Sequence, residues 1–318
     1  MLRWLDMGNR GQLCRPQQRG IARNYEQMTN GEIEAITRQG GSKLTQKARE
    51  AALQAAARTL KTELNVQLKS FAGLKIQHIE KLVQSWAMQG ISQRSMQNRM
   101  THIRAALRFH DRAKFALDER ISNASLRLAG ASRGGTHTVP APEAIDARLM
   151  GLTPQAKAVA QLQLALGLRA REAIQANQSL KVWEKQLASG RPISVLHGTK
   201  GGRPRDVQLH TLEARQKAVE AVQEALKVAR SNPNGRVIQS KTIDAAFRSY
   251  QREMNNAGFK GSEASHSLRY HWAREQFSTH QERLGDRKEA LAALSMDLGH
   301  GDGRGRYCAQ VYLAGYGG

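Results

Sequence analysis

The sequence predicts a mainly α-helical protein of two domains, with one small antiparallel β-sheet in the second domain. Three observations predict this fold class. Apolar residues recur at intervals of three, four and seven through much of the chain, which is the spacing of one helix face. A stretch rich in Gly, Ser, Thr and Pro, residues 130–144, interrupts that pattern and is typical of a linker. At 318 residues, the chain is long enough for each domain to bury a core.

The composition favours a polyanionic partner. The formal net charge is +22 and the pI is near 10.6, which indicates binding to nucleic acid or to an anionic membrane surface. No run approaches the roughly 20 apolar residues of a spanning helix, and the first residues lack the apolar core of a secretory signal. Nucleic acid is therefore the favoured partner, with no membrane association.

The two cysteines, Cys14 and Cys308, lie far apart and give neither metal-ligand spacing nor a disulfide framework. We expect no metal site and a reducing, cytoplasmic location. Cys308 is interpreted as a small packing residue and not as a reactive thiol.

The first domain is predicted to be helical after a basic arm. We assign residues 1–40 to the arm because its first part is rich in arginine with little apolar periodicity. Residues 41–130 form the predicted helical DNA-binding domain. Its second helix begins at Ile76, and Ser92 is the expected N-cap of the third. The first helix carries a predicted apolar stripe of Leu53, Leu60, Leu64, Leu68 and Phe71.

The third helix has a basic polar face. Such a face is ordinarily only solvated, but in a chain this basic a role in phosphate contact is equally expected. The residues are Arg94, Arg99, Arg104 and Arg108.

The second domain is predicted over residues 145–318, after a linker at residues 131–144. A helix should run from Pro154 to about Gly167. Two strand-like runs, "PISVLHGTK" and "RPRDVQLH", flank a Gly-Gly pair and indicate a β-hairpin. Further helices are expected after residue 211, around Ile243 and within "ASHSLRYHWAREQF".

Four stretches of this domain carry residues suited to chemistry on an anion. "GLRARE" holds Arg169 and Glu172, a spacing that more often gives a structural ion pair. Lys200 lies at the predicted hairpin tip, where most lysines are solvated. His266 and Arg269 are three residues apart, so both side chains can face one anion. The fourth stretch, "LGHGDGRGRYCAQVYL", contains His300 and two tyrosines.

In this order, Gly-Leu-Arg-x-x-Glu, a hairpin lysine, His-x-x-Arg, Leu-Gly-His and a terminal tyrosine resemble the tyrosine recombinase (phage integrase) family over roughly residues 40–318. The resemblance implies a core-binding (SAM-like) helical domain followed by the family's catalytic domain. It implies double-stranded DNA as partner, a nucleoid-associated location and a homo-tetramer in the synaptic complex. Accessory DNA-bending or directionality factors are further expected partners, and no ATP, metal or other cofactor is expected.

The resemblance also implies roles for the site residues. Arg169 and Arg269 would neutralise the non-bridging oxygens of the scissile phosphate, since a guanidinium offers paired donors in fixed geometry. Glu172 would orient Arg169. Lys200 would protonate the departing 5′ oxygen, and His266 would assist proton transfer at the nucleophile.

The resemblance gives His300 a hydrogen bond to the phosphate and places the nucleophile about nine residues after it, at Ala309. The neighbouring tyrosines are Tyr307 and Tyr312, seven and twelve residues after His300. If "GDGRG" is an insertion of about three residues, Tyr312 returns to register. Tyr312 is therefore the predicted nucleophile, with Tyr307 as the alternative. Tyr316 lies beyond a predicted helix stop and is the least favoured.

The predicted function is a site-specific DNA recombinase or integrase of a mobile element, acting through a 3′-phosphotyrosine intermediate. Two alternatives remain at this point: a non-catalytic architectural or regulatory DNA-binding protein, and a topoisomerase-like relative. The arginines, lysine and histidines in family order favour the recombinase. Further residues expected to contact the DNA backbone are Arg203, Arg304 and Arg306.

Overall fold

The structure is a computed structural model that describes residues 30–132 and 134–316. The chain divides into two compact units, Met1–Ser132 and Arg133–Gly318. The division falls inside the stretch predicted as a linker. The arginines of the predicted basic arm, up to Arg23, lie outside the described residues.

The described part of the first unit is helical. The helices predicted to begin at Ile76 and after Ser92 begin where the sequence predicts. The hydroxyl of Ser92 accepts a hydrogen bond from the N–H of Ser95 and so caps the later of these two helices. Ser42 caps the preceding long helix in the same way, through the N–H of Thr45. The helices are α1 (residues 30–38), α2 (Lys43–Thr62), α3 (Ile76–Met88), α4 (Gln93–Phe109) and α5 (Ala113–Ala116).

The predicted apolar stripe is only partly helical. Helix α2 ends at Thr62, and Asn65 takes a left-handed φ of 50°. The chain reverses here through a hydrogen bond from the N–H of Val66 to the carbonyl of Leu60, which satisfies a carbonyl at the helix end. Phe71 therefore reaches the same core from a separate short turn, where it is buried.

The predicted basic arm, residues 1–40, extends too far. Helix α1 lies within it and buries Ile33 and Ile36, which are three residues apart on one helix face, in the core of the first unit. The carboxylate of Glu32 accepts a hydrogen bond from the N–H of Phe71 at 3.0 Å and another from the hydroxyl of the serine that precedes Phe71 at 2.8 Å. These contacts make the segment part of the folded unit.

The second unit contains nine helices and one two-stranded sheet among its described residues, and the predicted fold class is confirmed. Strands β1 (Ile193–Val195) and β2 (Arg205–Val207) pair antiparallel, with Ser194 opposite Asp206. The helices are α6 (Pro142–Met150), α7 (Pro154–Leu166), α8 (Ala170–Ile174), α9 (Leu180–Ala188), α10 (Leu212–Ser231), α11 (Ile243–Asn256), α12 (Ser267–Leu284), α13 (Arg287–Asp297) and α14 (Gly305–Tyr312).

The hairpin forms as predicted, with strands of three residues each. A short turn, Lys200–Gly202, joins them. Gly201 and Gly202 have φ of 74° and 70°, a conformation that L side chains rarely adopt. The glycine pair thus holds the exposed Lys200 at the tip of the turn.

Helix α7 runs through the core of the second unit. Thr153 caps its first turn, and Gly167 ends it with a left-handed φ of 59°. A Cβ atom on Gly167 would lie 2.3 Å from the indole ring of Trp272 on α12. Close approach of α12 to the end of α7 therefore requires a glycine here. This contact places the residues after Gly167 next to α12.

None of the described helices is long and apolar enough to cross a membrane. Even the buried α7 carries a polar side chain in its interior, Gln163, whose amide is hydrogen-bonded at both its nitrogen and its oxygen. Its amide nitrogen donates to the carbonyl of Leu168 at 3.2 Å, and its amide oxygen accepts from the hydroxyl of Tyr250 at 2.5 Å. These bonds tie the helix end to α11.

The Gly167→Ala substitution should lower the free energy of unfolding by about 2–4 kcal/mol, because it adds a clash with Trp272 to the cost of a left-handed alanine. Gly285→Ala is the matched control. Gly285 has a similar φ of 69° but open space around its Cβ position, so about 1 kcal/mol is expected. Urea unfolding of both variants measures the difference, and equal losses would contradict the packing argument.

Candidate active site

Arg269 lies at the centre of a polar cluster in the second unit. It projects from α12, its relative exposure is 0%, and three different elements hold its guanidinium. Nη2 donates to the carbonyl of Leu298 at 2.6 Å, and Nη1 donates to the carbonyl of Gly167. Nε donates to the hydroxyl of Tyr312 at 3.4 Å. The ends of α7, α13 and α14 therefore meet at this one side chain.

Tyr312 is the last residue of α14 and is only 3% exposed. Besides the contact with Arg269, its hydroxyl lies 3.1 Å from Nε2 of His300. Its ring packs against the ring of Tyr270 with centroids 4.7 Å apart. The structure thus brings Tyr312, Arg269 and His300 together, as the sequence predicts.

Tyr307 occupies a different position on the same helix. It lies in the first turn of α14 and is 37% exposed, and its ring contacts the ring of His300 at 4.9 Å. An offset of five residues turns two side chains about 140° apart on a helix, which agrees with this separation. Tyr316 follows the end of α14, and its hydroxyl lies 3.0 Å from the Ser278 hydroxyl.

The "GDGRG" segment forms the turn that leads into α14. Gly301 and Gly303 have φ of 83° and 73°, and the carbonyl of Gly301 accepts a hydrogen bond from the Ser295 hydroxyl at 2.7 Å. His300 is held just before this turn by a bond from its N–H to the Ser295 carbonyl. The turn lengthens the chain between His300 and Tyr312 while their side chains stay in contact.

The carboxylate of Glu172 accepts hydrogen bonds from two further arginines of the cluster. It accepts hydrogen bonds from the backbone N–H and Nη1 of Arg169 at 2.7 and 2.8 Å. Both of its oxygens also accept from Arg205, each at 2.7 Å. Burial raises the pKa of Glu172, but the hydrogen bonds from Arg205 and the charges of Arg205, Arg269 and Arg169 outweigh it and lower the pKa to about 2. Glu172 is therefore a carboxylate at neutral pH.

Sequence reasoning missed Arg205 and named Arg203 instead. Arg203 is exposed, whereas Arg205 on β2 is buried and its Nε donates to the carbonyl of Asp297 at 2.9 Å. The available signal was strand alternation, since Arg205 shares the inward face of β2 with Val207. A charged residue on an inward face needs a buried partner, which here is Glu172.

A second polar layer, also missed from the sequence, lies behind Arg205. The side chain of Asp297 lies 2.7 Å from Nε2 of His280 and accepts from the amide of Gln276 at 3.2 Å. The same amide donates to the carbonyl of Gln208 at 2.9 Å. This layer fixes Asp297, whose carbonyl holds Arg205.

The two predicted site histidines are both neutral at physiological pH. Burial and then the charges of Arg269 and Arg169 lower the pKa of His300 to about 3. Burial, Arg269, His137 and Arg169, in that order, lower the pKa of His266 to about 3. The ring of His266 lies 6.4 Å from that of Tyr312 between centroids. In the protein without DNA, both rings are therefore uncharged at neutral pH and can accept a hydrogen bond.

Lys200 lies at the edge of the cluster. It is exposed at the hairpin tip, and its charge contributes to the lowered pKa of His300. Among the described residues, its ammonium makes none of the hydrogen bonds that join the cluster. The structure thus brings Lys200 within electrostatic range and leaves it accessible to a ligand.

The predicted arginine face of α4 does not form a single exposed surface. Arg94 and Arg108 are exposed. Arg99 stacks over the ring of Trp86 at 4.9 Å. Arg104 is half-buried and donates to the carbonyl of Ile121 and to a neighbouring asparagine, because the loop after α5 passes over it. In the second unit, the three arginines that the sequence predicts to contact the DNA backbone are all exposed. They are Arg203, Arg304 and Arg306.

Cys308 packs inside α14's buried face, as expected from the sequence. Its relative exposure is 0%, and burial raises the pKa of its thiol to about 11. Within residues 30–132 and 134–316, no group of three or more His, Cys, Asp or Glu side chains is arranged to hold a metal ion.

The Glu172→Gln substitution should cost about 3–5 kcal/mol of unfolding free energy, because it leaves the buried Arg205 without its carboxylate. Glu184→Gln, at an exposed position of α9, is the control and should change stability little. Urea unfolding at pH 7 measures both. Similar stabilities for the two variants would show that Glu172 does not hold the arginines.

Stability should fall as the pH is lowered below about 6.5. An unfolded histidine takes up a proton near its ordinary pKa of 6.5, whereas His266 and His300 stay neutral in the folded protein down to about 3. The unfolded chain then binds more protons, so the unfolding free energy decreases with decreasing pH. His266→Gln should make this decrease shallower between pH 7 and 5, as measured by urea unfolding. His197→Gln, on the hairpin, is the control, and equal slopes in both variants would refute the prediction.

Two family models match successive parts of the chain. The model described as "Phage integrase, N-terminal" matches residues 27–116, and the model described as "Integrase" matches residues 127–275. A search of curated protein sequences found no significant match.

Several solved structures share the fold. The Tn1549 transposon integrase in complex with transposon right end DNA has a TM-score of 0.53 and 13% identity, over 87% of this chain and 91% of that chain. The same integrase in complex with circular intermediate DNA has a TM-score of 0.53 and 14% identity, over 90% of this chain and 94% of that chain. The lambda integrase tetramer bound to a Holliday junction has a TM-score of 0.54 and 15% identity, over 90% of this chain and 81% of that chain.

Proposed function

The chain belongs to the tyrosine recombinase (phage integrase) family, and from this premise we propose that it cleaves and rejoins DNA through a 3′-phosphotyrosine link to Tyr312. One observation carries the choice of residue. The hydroxyl of Tyr312 lies between Nε of Arg269 and Nε2 of His300, at 3.4 and 3.1 Å. Tyr307, in contrast, is exposed in the first turn of the helix.

Binding of the scissile phosphate is assigned to Arg169 and Arg269. Arg169 and Arg205 pair with the carboxylate of Glu172, and the charge of Arg269 lies within electrostatic range of it, so positive charge is in excess in the cluster. The side chain of Arg169 is partly exposed and meets an incoming phosphate first. Arg269 comes within reach when Tyr312 turns towards phosphorus, since its Nε donor is now directed at the Tyr312 hydroxyl. Guanidinium N–H donors suit the charge that develops on the non-bridging oxygens.

The reaction is a transesterification. The phenolic oxygen of Tyr312 attacks phosphorus, the bond to the 5′ oxygen breaks, and the 3′ phosphate becomes esterified to the tyrosine. The phenolic proton passes to a neutral imidazole, whose proton affinity rises when the bound phosphate anion offsets the charges of Arg269 and Arg169. His300 is already hydrogen-bonded to the hydroxyl, and His266 flanks the ring. Lys200 supplies the proton to the departing 5′ oxygen from the hairpin tip. The phosphotyrosine ester keeps the energy of the broken bond, so rejoining needs neither ATP nor a metal.

Double-stranded DNA is the proposed substrate, bound by a homo-tetramer. The net charge of +22 supports a polyanionic partner, and the similar lambda integrase structure is a tetramer on a Holliday junction. We also propose accessory DNA-bending or directionality proteins as partners. The exposed arginines proposed to contact DNA phosphates are Arg94, Arg108, Arg203, Arg304 and Arg306.

Covalent trapping tests the proposed chemistry. With a nicked DNA substrate that carries the recombination site, the wild-type protein should form a protein–DNA adduct that survives denaturing electrophoresis. Tyr312→Phe should abolish the adduct, because it removes the attacking oxygen. Tyr307→Phe is the matched control and should retain it.

The opposite pattern would identify Tyr307 as the nucleophile. Absence of an adduct in the wild-type protein on its own site, with DNA binding retained, would favour a non-catalytic DNA-binding role. Gel-shift titration of each variant on the same duplex supplies the binding measurement.

A further inference from the structure

We infer that residues 135–138, a segment predicted from sequence as linker, form a strap that positions Tyr312 and His266, with Gly135 and His137 as positioning residues. The strap belongs to the second unit and crosses from helix α14 to the turn before α12. Its catalytic consequence rests on the proposed function, whereas its structural consequence does not.

One end of the strap lies directly on the helix of the proposed nucleophile. The N–H of Gly135 donates to the carbonyl of Gln310 at 3.1 Å, two residues before Tyr312. A Cβ atom on Gly135 would lie 2.0 Å from the carbonyl oxygen of Val311 and 2.8 Å from the hydroxyl of Tyr270. The requirement for glycine is therefore spatial, since any side chain would push the strap away from α14.

The other end is bonded to the turn that precedes His266. The N–H of Thr138 donates to the carbonyl of Ser262 at 2.9 Å, and their hydroxyls lie 3.0 Å apart. Nδ1 of His137 lies 3.0 Å from the same carbonyl, which accepts the proton on that nitrogen. Ser262 lies in the short turn Gly261–Glu263, so the strap fixes the backbone that leads into His266.

Between its ends, the strap forms one side of the aromatic environment of Tyr312. The ring of His137 lies 5.3 Å from that of His266 and 5.4 Å from that of Tyr270. Tyr270 in turn packs on Tyr312. The hydroxyl of Tyr270 is hydrogen-bonded to the backbone of Thr136, and burial raises its pKa to about 12. Tyr270 thus stays protonated and acts as a packing partner.

These contacts give the strap three points of control over the site. It bonds the backbone of α14, buttresses the ring of Tyr270 and covers one face of His266. A group that must attack phosphorus in line depends on sub-ångström placement, so loss of these contacts should reduce the rate of cleavage. DNA binding should be retained, because the strap residues are not among the exposed arginines.

The Gly135 contact is tested in the full-length protein by Gly135→Ala. The control is Gly151→Ala, where the nearest atom to an added Cβ lies at 3.6 Å and the φ is −81°. Hydrogen exchange is measured without DNA on peptides that cover residues 305–316. We expect faster exchange there in Gly135→Ala and unchanged exchange in Gly151→Ala. Hydrogen exchange at the wild-type rate in Gly135→Ala would refute the proposed role of the strap.

Adduct formation on the nicked substrate gives the catalytic readout. Gly135→Ala should form the adduct at least about tenfold more slowly than wild type at equal DNA affinity, which corresponds to about 1.4 kcal/mol. An unchanged rate would overturn the positioning role. If the wild-type protein forms no adduct, the proposed function fails. The hydrogen-exchange measurement then still tests whether the strap holds α14.

The role of His137 is tested by two variants. His137→Phe keeps a ring against His266 and loses the bond to the Ser262 carbonyl, whereas His137→Ala loses both. The imidazole of His266, followed by NMR, should titrate at higher pH in His137→Ala, because the substitution admits water to a ring whose pKa is lowered mainly by burial. The adduct rate should fall in the order wild type, His137→Phe, His137→Ala. An unchanged His266 titration together with an unchanged rate would refute the assignment.

Discussion

The buried carboxylate of Glu172 is the interaction on which the rest of the site depends. Arginines from the start of α8 and from β2 both donate to it, and without a shared anion their charges would repel one another. Arg205 then reaches on to the carbonyl of Asp297, which places the end of α13. The next carbonyl, that of Leu298, holds Arg269. One carboxylate thus sets the spacing of a helix start, a strand and a helix end.

The arginines are held before any ligand arrives. Apart from the Tyr312 hydroxyl at Nε of Arg269, their partners are backbone carbonyls and a carboxylate, all of which accept hydrogen bonds and none of which depends on DNA. Donors fixed in advance need no reorganisation when charge develops on a phosphate, and this is the usual source of electrostatic catalysis. Burial, and after it the charges of these arginines, keep His266 and His300 neutral, so the arginines proposed to bind the phosphate also influence the groups proposed to transfer the proton.

Much of the fold was predictable from local signals. Helix starts at Ser92 and Thr153 have side-chain caps, and the Gly-Gly turn marks the hairpin. The order of the motifs along the chain predicted a site, and the structure brings several of its residues into contact. Arg205 was missed because its role depends on a partner on another element, and the alternation within a three-residue strand is only a weak signal of an inward charge. The strap was missed because its composition is that of a linker, while its function depends on contacts with residues more than a hundred positions away.

The strap also determines where the chain can be divided. The predicted start of the catalytic domain, residue 145, would leave Gly135 and His137 with the other half. A recombinant catalytic half therefore has to begin at or before Gly134 to retain the bonds to Gln310 and Ser262. Exchange of DNA-binding modules between related proteins meets the same restriction, because a junction placed in the centre of this linker-like segment would separate the proposed nucleophile from its own support.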